Sequence, residues 1–188
     1  MHTQSKKIEI LDVAETIIQK QGYNGFSYAD ISKAVNIRKA SIHHHFPSKA
    51  ALAVAVVRRY RDVFNNSLTK IKLKHDDWLD KLYQYGNLYE HALSENKLCL
   101  CGMLASDVET LPRLLKKEVQ LFFTDHIAWL VDILSIHYKS LTNKRLTEIA
   151  WQIVSSLQGA VMLARAQGDK TIFVSASREL FSLLTKIK

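Results

Sequence analysis

Residues 26 to 49 read Phe-Ser-Tyr-Ala-Asp-Ile-Ser-Lys-Ala-Val-Asn-Ile-Arg-Lys-Ala-Ser-Ile-His-His-His-Phe-Pro-Ser-Lys. Arg38, Lys39, Ser41, His43 and His44 fall on the outward positions of a short helix at 38–45, around an inward Ile42. Arg and Lys can address guanine O6 and N7, and Ser can donate or accept. An imidazole, neutral or charged, can bond a phosphate oxygen or a base. Ala40 is small enough to let such a helix approach a groove closely. Ser27, Tyr28 and Lys49 lie at helix N-termini, where backbone amides and the helix dipole attract phosphate. Short and basic groups for base edges, flanked by phosphate-holding groups, are the equipment of a helix that reads the major groove of double-stranded DNA.

The elements that must position these groups are legible nearby. Ser27 is a good N-cap, and Asp30 three residues later completes a capping box for a helix at 28–35 that buries Ile31 and Val35. Asn36 stands at the sharp turn, since Asn tolerates left-handed backbone better than any residue but Gly. Phe46 precedes Pro47, which pushes it out of helical geometry. Ser48 then caps a long helix over 49–72 with Leu52, Val56, Tyr60 and Val63 as its apolar stripe. Upstream, Ile10, Ala14, Ile17 and Ile18 mark a first helix over 5–21, closed by Gly22. Lys6 and Lys7 in its first turn are either exposed and tolerated or directed at phosphates. Consecutive helical residues point about 100° apart, so His43, His44 and His45 cannot converge on one ion, and no metal is expected. His45 is read as a packing residue.

Five further helices are expected after residue 75, giving an all-α protein of about nine. They cover 77–95, 101–109, a helix opened by Pro112 and running to 138, one capped by Thr142 or Asn143 and ended by Gly168, and 171–187. Two prolines and six glycines in 188 residues, with 47% hydrophobic residues, suit this reading. No uninterrupted apolar run reaches the roughly 18 residues of a membrane span. The N-terminus shows no signal-peptide block, and Cys99 and Cys101 make no disulfide framework, so a cytoplasmic protein without membrane contact is expected. Residues 1 to 74 hold 13 Lys and Arg against 5 Asp and Glu, net +8, while residues 75 to 188 hold 13 of each. The basic excess therefore coincides with the helix-turn-helix, as polyanion binding requires.

Residues 5 to 64 resemble the DNA-binding domain of TetR-type (TetR/AcrR) regulators. The resemblance rests on the first helix ending in Gly22-Tyr23, on Ser27-Tyr28-Ala29-Asp30-Ile31-Ser32, and above all on the run from Ser41 through His45-Phe46-Pro47-Ser48-Lys49 to Leu52. Asn36 replaces a common Gly, and His43 a common phosphate-contacting Tyr. A His there brings pH dependence near its ordinary pKa of about 6.5. The resemblance implies DNA contacts at Ser27, Tyr28, Lys39, Ser41, His43, His44 and Lys49, to which the helix face adds Arg38. It implies a head at 4–64, with the helix-turn-helix at 27–46, and a body at 65–188 for effector binding and dimerisation.

By that resemblance the chain is a dimeric one-component regulator, a repressor released by an effector, with a near-palindromic operator. Candidate pocket residues for a small apolar or aromatic effector are Trp78, Tyr85, Tyr89, Met103, Phe122, His126, Trp129 and Met162. Core packing is the competing account of each. Cys99 and Cys101 are either thiol sensors of an electrophile or oxidant, or small buried side chains near a turn. Small Ser155, Gly159 and Ala160, with apolar Ile153, Leu157, Leu180 and Leu184, are candidates for a two-fold helical interface. No phosphate loop, nucleophile elbow, paired-carboxylate cluster or metal spacing points to an enzyme, and no cofactor is expected. The rival reading is a helical protein-interaction adaptor without DNA binding.

Overall fold

The computed structural model describes residues 2–187, with side chains from residue 5 onward. Among the described residues the chain forms nine α-helices, one 3-10 turn and no strand. The helices are α1 (His2–Gln21), α2 (Tyr28–Val35), α3 (Lys39–His45), α4 (Lys49–Lys74), α5 (Trp78–Ser94), α6 (Leu100–Ser106), α7 (Arg113–His137), α8 (Asn143–Gln167) and α9 (Thr171–Leu184), with the 3-10 turn at Val108–Thr110. They fall into two compact units. The first holds the chain as far as Val63 together with Cys99–Phe122, and the second holds Phe64–Leu98 and the residues from Phe123 on. Each unit has 13 Lys and Arg, against 8 acids in the first and 10 in the second, so net charges are +5 and +3. The basic excess of residues 1 to 74 is thus divided, because Lys70, Lys72 and Lys74 belong to the second unit.

In the first unit α1 buries Ile10, Ala14 and Ile18 and ends at Gly22, whose φ of 75° is left-handed. The capping box at α2 is closed in both directions. Asp30 Oδ2 accepts the Ser27 N–H at 2.8 Å, and Ser27 Oγ accepts the Asp30 N–H at 3.4 Å. Asn36 takes φ 53° and returns its N–H to the Ser32 carbonyl, which turns the chain from α2 into α3. Ser48 Oγ accepts the Ala51 N–H at 3.1 Å, capping α4. Arg59 forks from α4 to Asp12 at 2.6 Å and Glu15 at 2.8 Å on α1. Leu52 and Val56 are buried, but Val63 is 60% exposed, which corrects the expected stripe. The buried face of α4 passes through Val57, Phe64, Leu68 and Ile71, and Val63 lies one residue, about 100°, off it.

In the second unit α5, α8 and α9 pack around Leu82, Tyr85, Ile149, Ile153, Leu157, Phe173 and Phe181. Gly86 permits the close approach of α5 and α9, since a Cβ there would stand 3.2 Å from the Phe181 ring. Thr142 caps α8, and Gly168 closes it at φ 67°. Lys72 pairs with Asp132 at 2.6 Å and Asn65 donates to Asp125 at 2.7 Å, tying α4 to α7. Helix α9 stops at Leu184, short of the expected 187, and the Tyr138 hydroxyl donates to the Leu184 carbonyl. An 18-residue window of α7 has a mean hydropathy of 1.4 and is long enough to cross a membrane, contrary to the expectation drawn from uninterrupted runs. That window is 39% buried; α7 places Leu130, Ile133 and Leu134 in the core, and its Asp125 and Asp132 have polar partners on α4.

Candidate nucleic-acid interface

Helix α3 is seven residues long, packs on α2 and fully buries one side chain, Ile42. Arg38, Lys39, Ala40, Ser41, His43 and His44 are all exposed, and His45 is half-buried as expected. With Ile42 inward and His45 half-buried, Arg38, Lys39, Ser41 and His44 are left exposed. None of Arg38, Lys39, Ser41 or His44 makes a side-chain hydrogen bond or ion pair among the described residues, so their donors are open to an external partner. Arg38 serves as the N-cap residue through backbone geometry alone, without a side-chain cap.

The flanking residues are more occupied. Ser27 Oγ donates to Asp30 Oδ2 at 2.7 Å while accepting the Asp30 N–H, which holds that carboxyl below its usual pKa. The Tyr28 hydroxyl donates to the Phe46 carbonyl at 2.7 Å, and burial pushes its pKa up to about 12. Its ring meets His43 edge-on at 4.7 Å. Tyr28 thus braces α3 and the side chain that departs from the family pattern, and its one donor is already directed inward. Lys49 Nζ stands 4.6 Å from the Tyr23 ring centre and 4.7 Å from that of Phe26, a cation–π seat. Burial there lowers its pKa, opposed by the attraction of Asp107.

Asp107 was not legible in the sequence. Its carboxylate accepts the Tyr23 N–H at 2.7 Å across 84 residues of chain, and Asn24 donates to Thr110 at 2.9 Å beside it. The segment after α6 therefore holds the end of α1 and the seat of Lys49. A lone aspartate between a helix and a 3-10 turn carries no local signal of that role. Lys6 resolves as paired with Glu9 at 2.7 Å, and Lys7 lies over the Phe46 ring at 5.9 Å.

The candidate effector residues belong to both units. In the first, Cys99 and Cys101 are buried with Phe122, and Met103 is half-buried. Tyr60 packs on Phe122 at 5.5 Å, and its hydroxyl sits beside Cys99. Burial first, then the Cys99 sulfur, pushes the Cys101 thiol well above its ordinary range. In the second unit Tyr85, Tyr89, His126 and Trp129 come together. The Tyr85 hydroxyl bridges His126 Nδ1 at 2.9 Å and the Tyr89 hydroxyl at 3.0 Å. His126 stacks on Phe64 at 4.3 Å, and desolvation pushes its pKa down to about 3, so it is neutral. Trp129 stacks on Tyr85 and donates to the Leu68 carbonyl at 3.2 Å. Trp78 stands apart, stacked on His137 at 4.1 Å. Met162 is 51% exposed and lines no interior, because its position on α8 faces away from α5 and α9.

Of the interface candidates, Ile153, Leu157, Ala160 and Leu184 are buried within the second unit, where they hold α8 to its neighbours. Ser155 is exposed, and Gly159 and Leu180 are half-buried. The outward stripe of α8 instead carries Trp151, Ser155, Gly159 and Met162, at helical spacing.

A basic helix-turn-helix presenting an unoccupied donor face defines a DNA-binding transcriptional regulator. Residues 10–56 match the family of bacterial regulatory proteins, tetR family. The biofilm operon icaADBC HTH-type negative transcriptional regulator IcaR of Staphylococcus aureus (strain Newman) is 30% identical over 132 residues, which is 63% of this chain and 70% of that protein. A TetR-family transcriptional regulator from Agrobacterium tumefaciens superposes with a TM-score of 0.88 at 34% identity, covering 96% of this chain and 97% of that one. A TetR transcriptional regulator from Legionella pneumophila does so with a TM-score of 0.87 at 37% identity, covering 93% and 95%. The chain belongs to the TetR family of transcriptional regulators. It is a DNA-binding protein and not an enzyme.

Proposed function

We propose that the chain is a homodimeric cytoplasmic repressor that binds a near-palindromic operator through a head at 4–64 and releases it when a small apolar or aromatic molecule binds the body at 65–188. The observation that supports this most is the α3 face, five chemically competent side chains around one buried Ile42. Repression is the role in the name of the Staphylococcus aureus relative. Lys39, Ser41 and His44 read base edges, Arg38 and His43 reach bases or backbone, and Ser27, Lys49 and Tyr28 set the phosphate register, Tyr28 by bracing α3 through Phe46 and His43. Dimerisation uses the outward stripe Trp151, Ser155, Gly159 and Met162 on α8, with Leu180 and the exposed Leu183 on α9. The space above Gly159 is open, since a Cβ there would meet nothing within 4 Å.

The effector acts by population shift, binding more tightly to the state that does not fit the operator. The Tyr85–Tyr89–His126–Trp129 cluster supplies aromatic surface and a neutral hydrogen-bonding group for it. Burial and a raised thiol pKa at Cys101 favour a reversible small molecule over a thiol-reactive one. Selection of bound sequences from random duplex tests the whole reading. A palindrome with half-sites about one helical turn apart, or a multiple of it, is expected. Recovery of no palindromic consensus overturns it. Sedimentation of Trp151→Glu tests the interface: it should run as a monomer at concentrations where the parent is a dimer.

A further inference from the structure

We propose that Arg113, Lys116 and Lys117, at the start of α7, form a second contact with the DNA backbone, on phosphates outside the base pairs that α3 reads. The inference builds on DNA binding by the α3 face and adds residues outside the helix-turn-helix. With Gln120 these cations follow the i, i+3, i+4, i+7 spacing of one helix face. They line an open concavity of about 840 Å³ together with Leu111 and Leu114. Arg113 and Lys117 are exposed and Lys116 is half-buried.

Among the described residues no acid pairs with them. None of the three makes an ion pair or hydrogen bond among the described residues, and the first turn of α7 contains no acid. Glu118, the next residue, is buried and engaged by Arg58 at 2.7 Å and Arg61 at 3.5 Å. Asp107 is engaged by the Tyr23 N–H, and Glu109 does not line the concavity. Arg113 in the first turn of α7 also opposes the helix dipole, an arrangement that an external anion relieves.

The cations adjoin the head. A second concavity of about 470 Å³ joins Ser48, Ala51 and Arg58 of the α4 start to Pro112 and Leu114, and Leu114 lines both hollows. The hollow between them is lined by Ala50, Ala51, Val54, Ala55 and Pro112, with Arg58 as its one cation, so the surface that links the start of α4 to the α7 cations is small and apolar and open to a DNA backbone. Three cations lining one open concavity suit a repeating line of phosphates. Charges of this kind act across a Debye length of about 10 Å at 0.1 M salt, so they capture flanking DNA without reading its sequence.

The test compares two operator duplexes, one trimmed to the half-sites and one extended by a helical turn on each side. For the full chain, the triple variant R113A/K116A/K117A should lose roughly ten-fold or more in affinity for the extended duplex at physiological salt. Its log–log salt slope should flatten by about 0.9 for each phosphate contact removed. Binding to the trimmed duplex should stay unchanged, and the unfolding midpoint should hold or rise as the dipole conflict is relieved. Lys117→Glu alone should reproduce the direction of the effect. An unchanged slope on the extended duplex overturns the proposal, as does an equal loss on both duplexes. The K39A/S41A variant separates this from the α3 reading: it should lose both duplexes, and its failure to do so would sink the α3 assignment whatever α7 does.

Discussion

The outer face of α3 and the Tyr85–Tyr89–His126–Trp129 cluster are both sets of polar and aromatic groups, but they are held in opposite ways. On α3 the chemistry points to solvent, and a single buried residue, Ile42, anchors it. In the cluster Tyr85, Tyr89 and His126 are buried and Trp129 is half-buried, and the two hydroxyls and the imidazole Nδ1 bond one another. Exposed chemistry and stability are separable in the first region and fused in the second. A DNA reader can therefore change its specificity cheaply, whereas a body that binds an effector must do so with residues that also keep it folded.

The sharpest break in this comparison is a loss of function without loss of fold. K39A/S41A should lower operator affinity about 100-fold or more, since each good base contact is worth roughly 1–3 kcal/mol. Its urea midpoint should match the parent's, and a fall in the midpoint would show that the α3 face carries stability after all.

His126 tests the other side. Its pKa is pushed down to about 3 in the fold and is near 6.5 when unfolded, so between those values the unfolded chain binds more protons. Stability from keeping it neutral is fully present above pH 6.5 and drains away as pH falls toward 3. Chemical unfolding at pH 4 should show a loss of roughly 3 kcal/mol relative to pH 7 from this group. His126→Gln, less stable at neutral pH, should show a smaller acid loss; an identical acid slope would remove His126 from that role.

Gly22→Ala probes how the head is seated. The site has φ 75°, and a Cβ would stand 2.6 Å from Asp107 Oδ2. Left-handed backbone costs about 1–2 kcal/mol for an L side chain, and displacing Asp107 frees the Tyr23 N–H and loosens the seat of Lys49. Denaturation should show about 2 kcal/mol lost, with operator affinity reduced in step.

The smallest effect belongs to the thiols. Cys99 and Cys101 should react with a maleimide only on unfolding, and mild treatment of the folded chain should leave operator binding unchanged. Rapid native labelling with release of DNA would return them to the role of sensors.

Sequence and structure agree most closely where interactions are short in range. The Ser27–Asp30 box, the left-handed Asn36, the Phe46–Pro47 stop and the Ser48 cap all act within five residues, so α2, α3 and the start of α4 are legible to within a residue or two. The outward set on α3 followed from one helical period around Ile42. In the body the same period failed. Along α8 an apolar stripe and a small-residue stripe both repeat at helical spacing, and nothing local says which faces inward. Ile153, Leu157 and Ala160 were placed at an interface and are core, while Trp151 and Met162 turned outward. Val63 and Met162 went astray for the same reason.

The sequence by itself determined the nine helices of the described residues, most of their caps and the chemistry of the outward face of α3, because capping, turn geometry and helical periodicity depend on neighbours within about one turn. Only the tertiary structure decided which stripe of α8 is buried, that Asp107 holds Tyr23, that His126 is neutral, and that Arg113, Lys116 and Lys117 form no ion pair among the described residues. Each of those depends on burial and partners supplied by residues far apart in the chain.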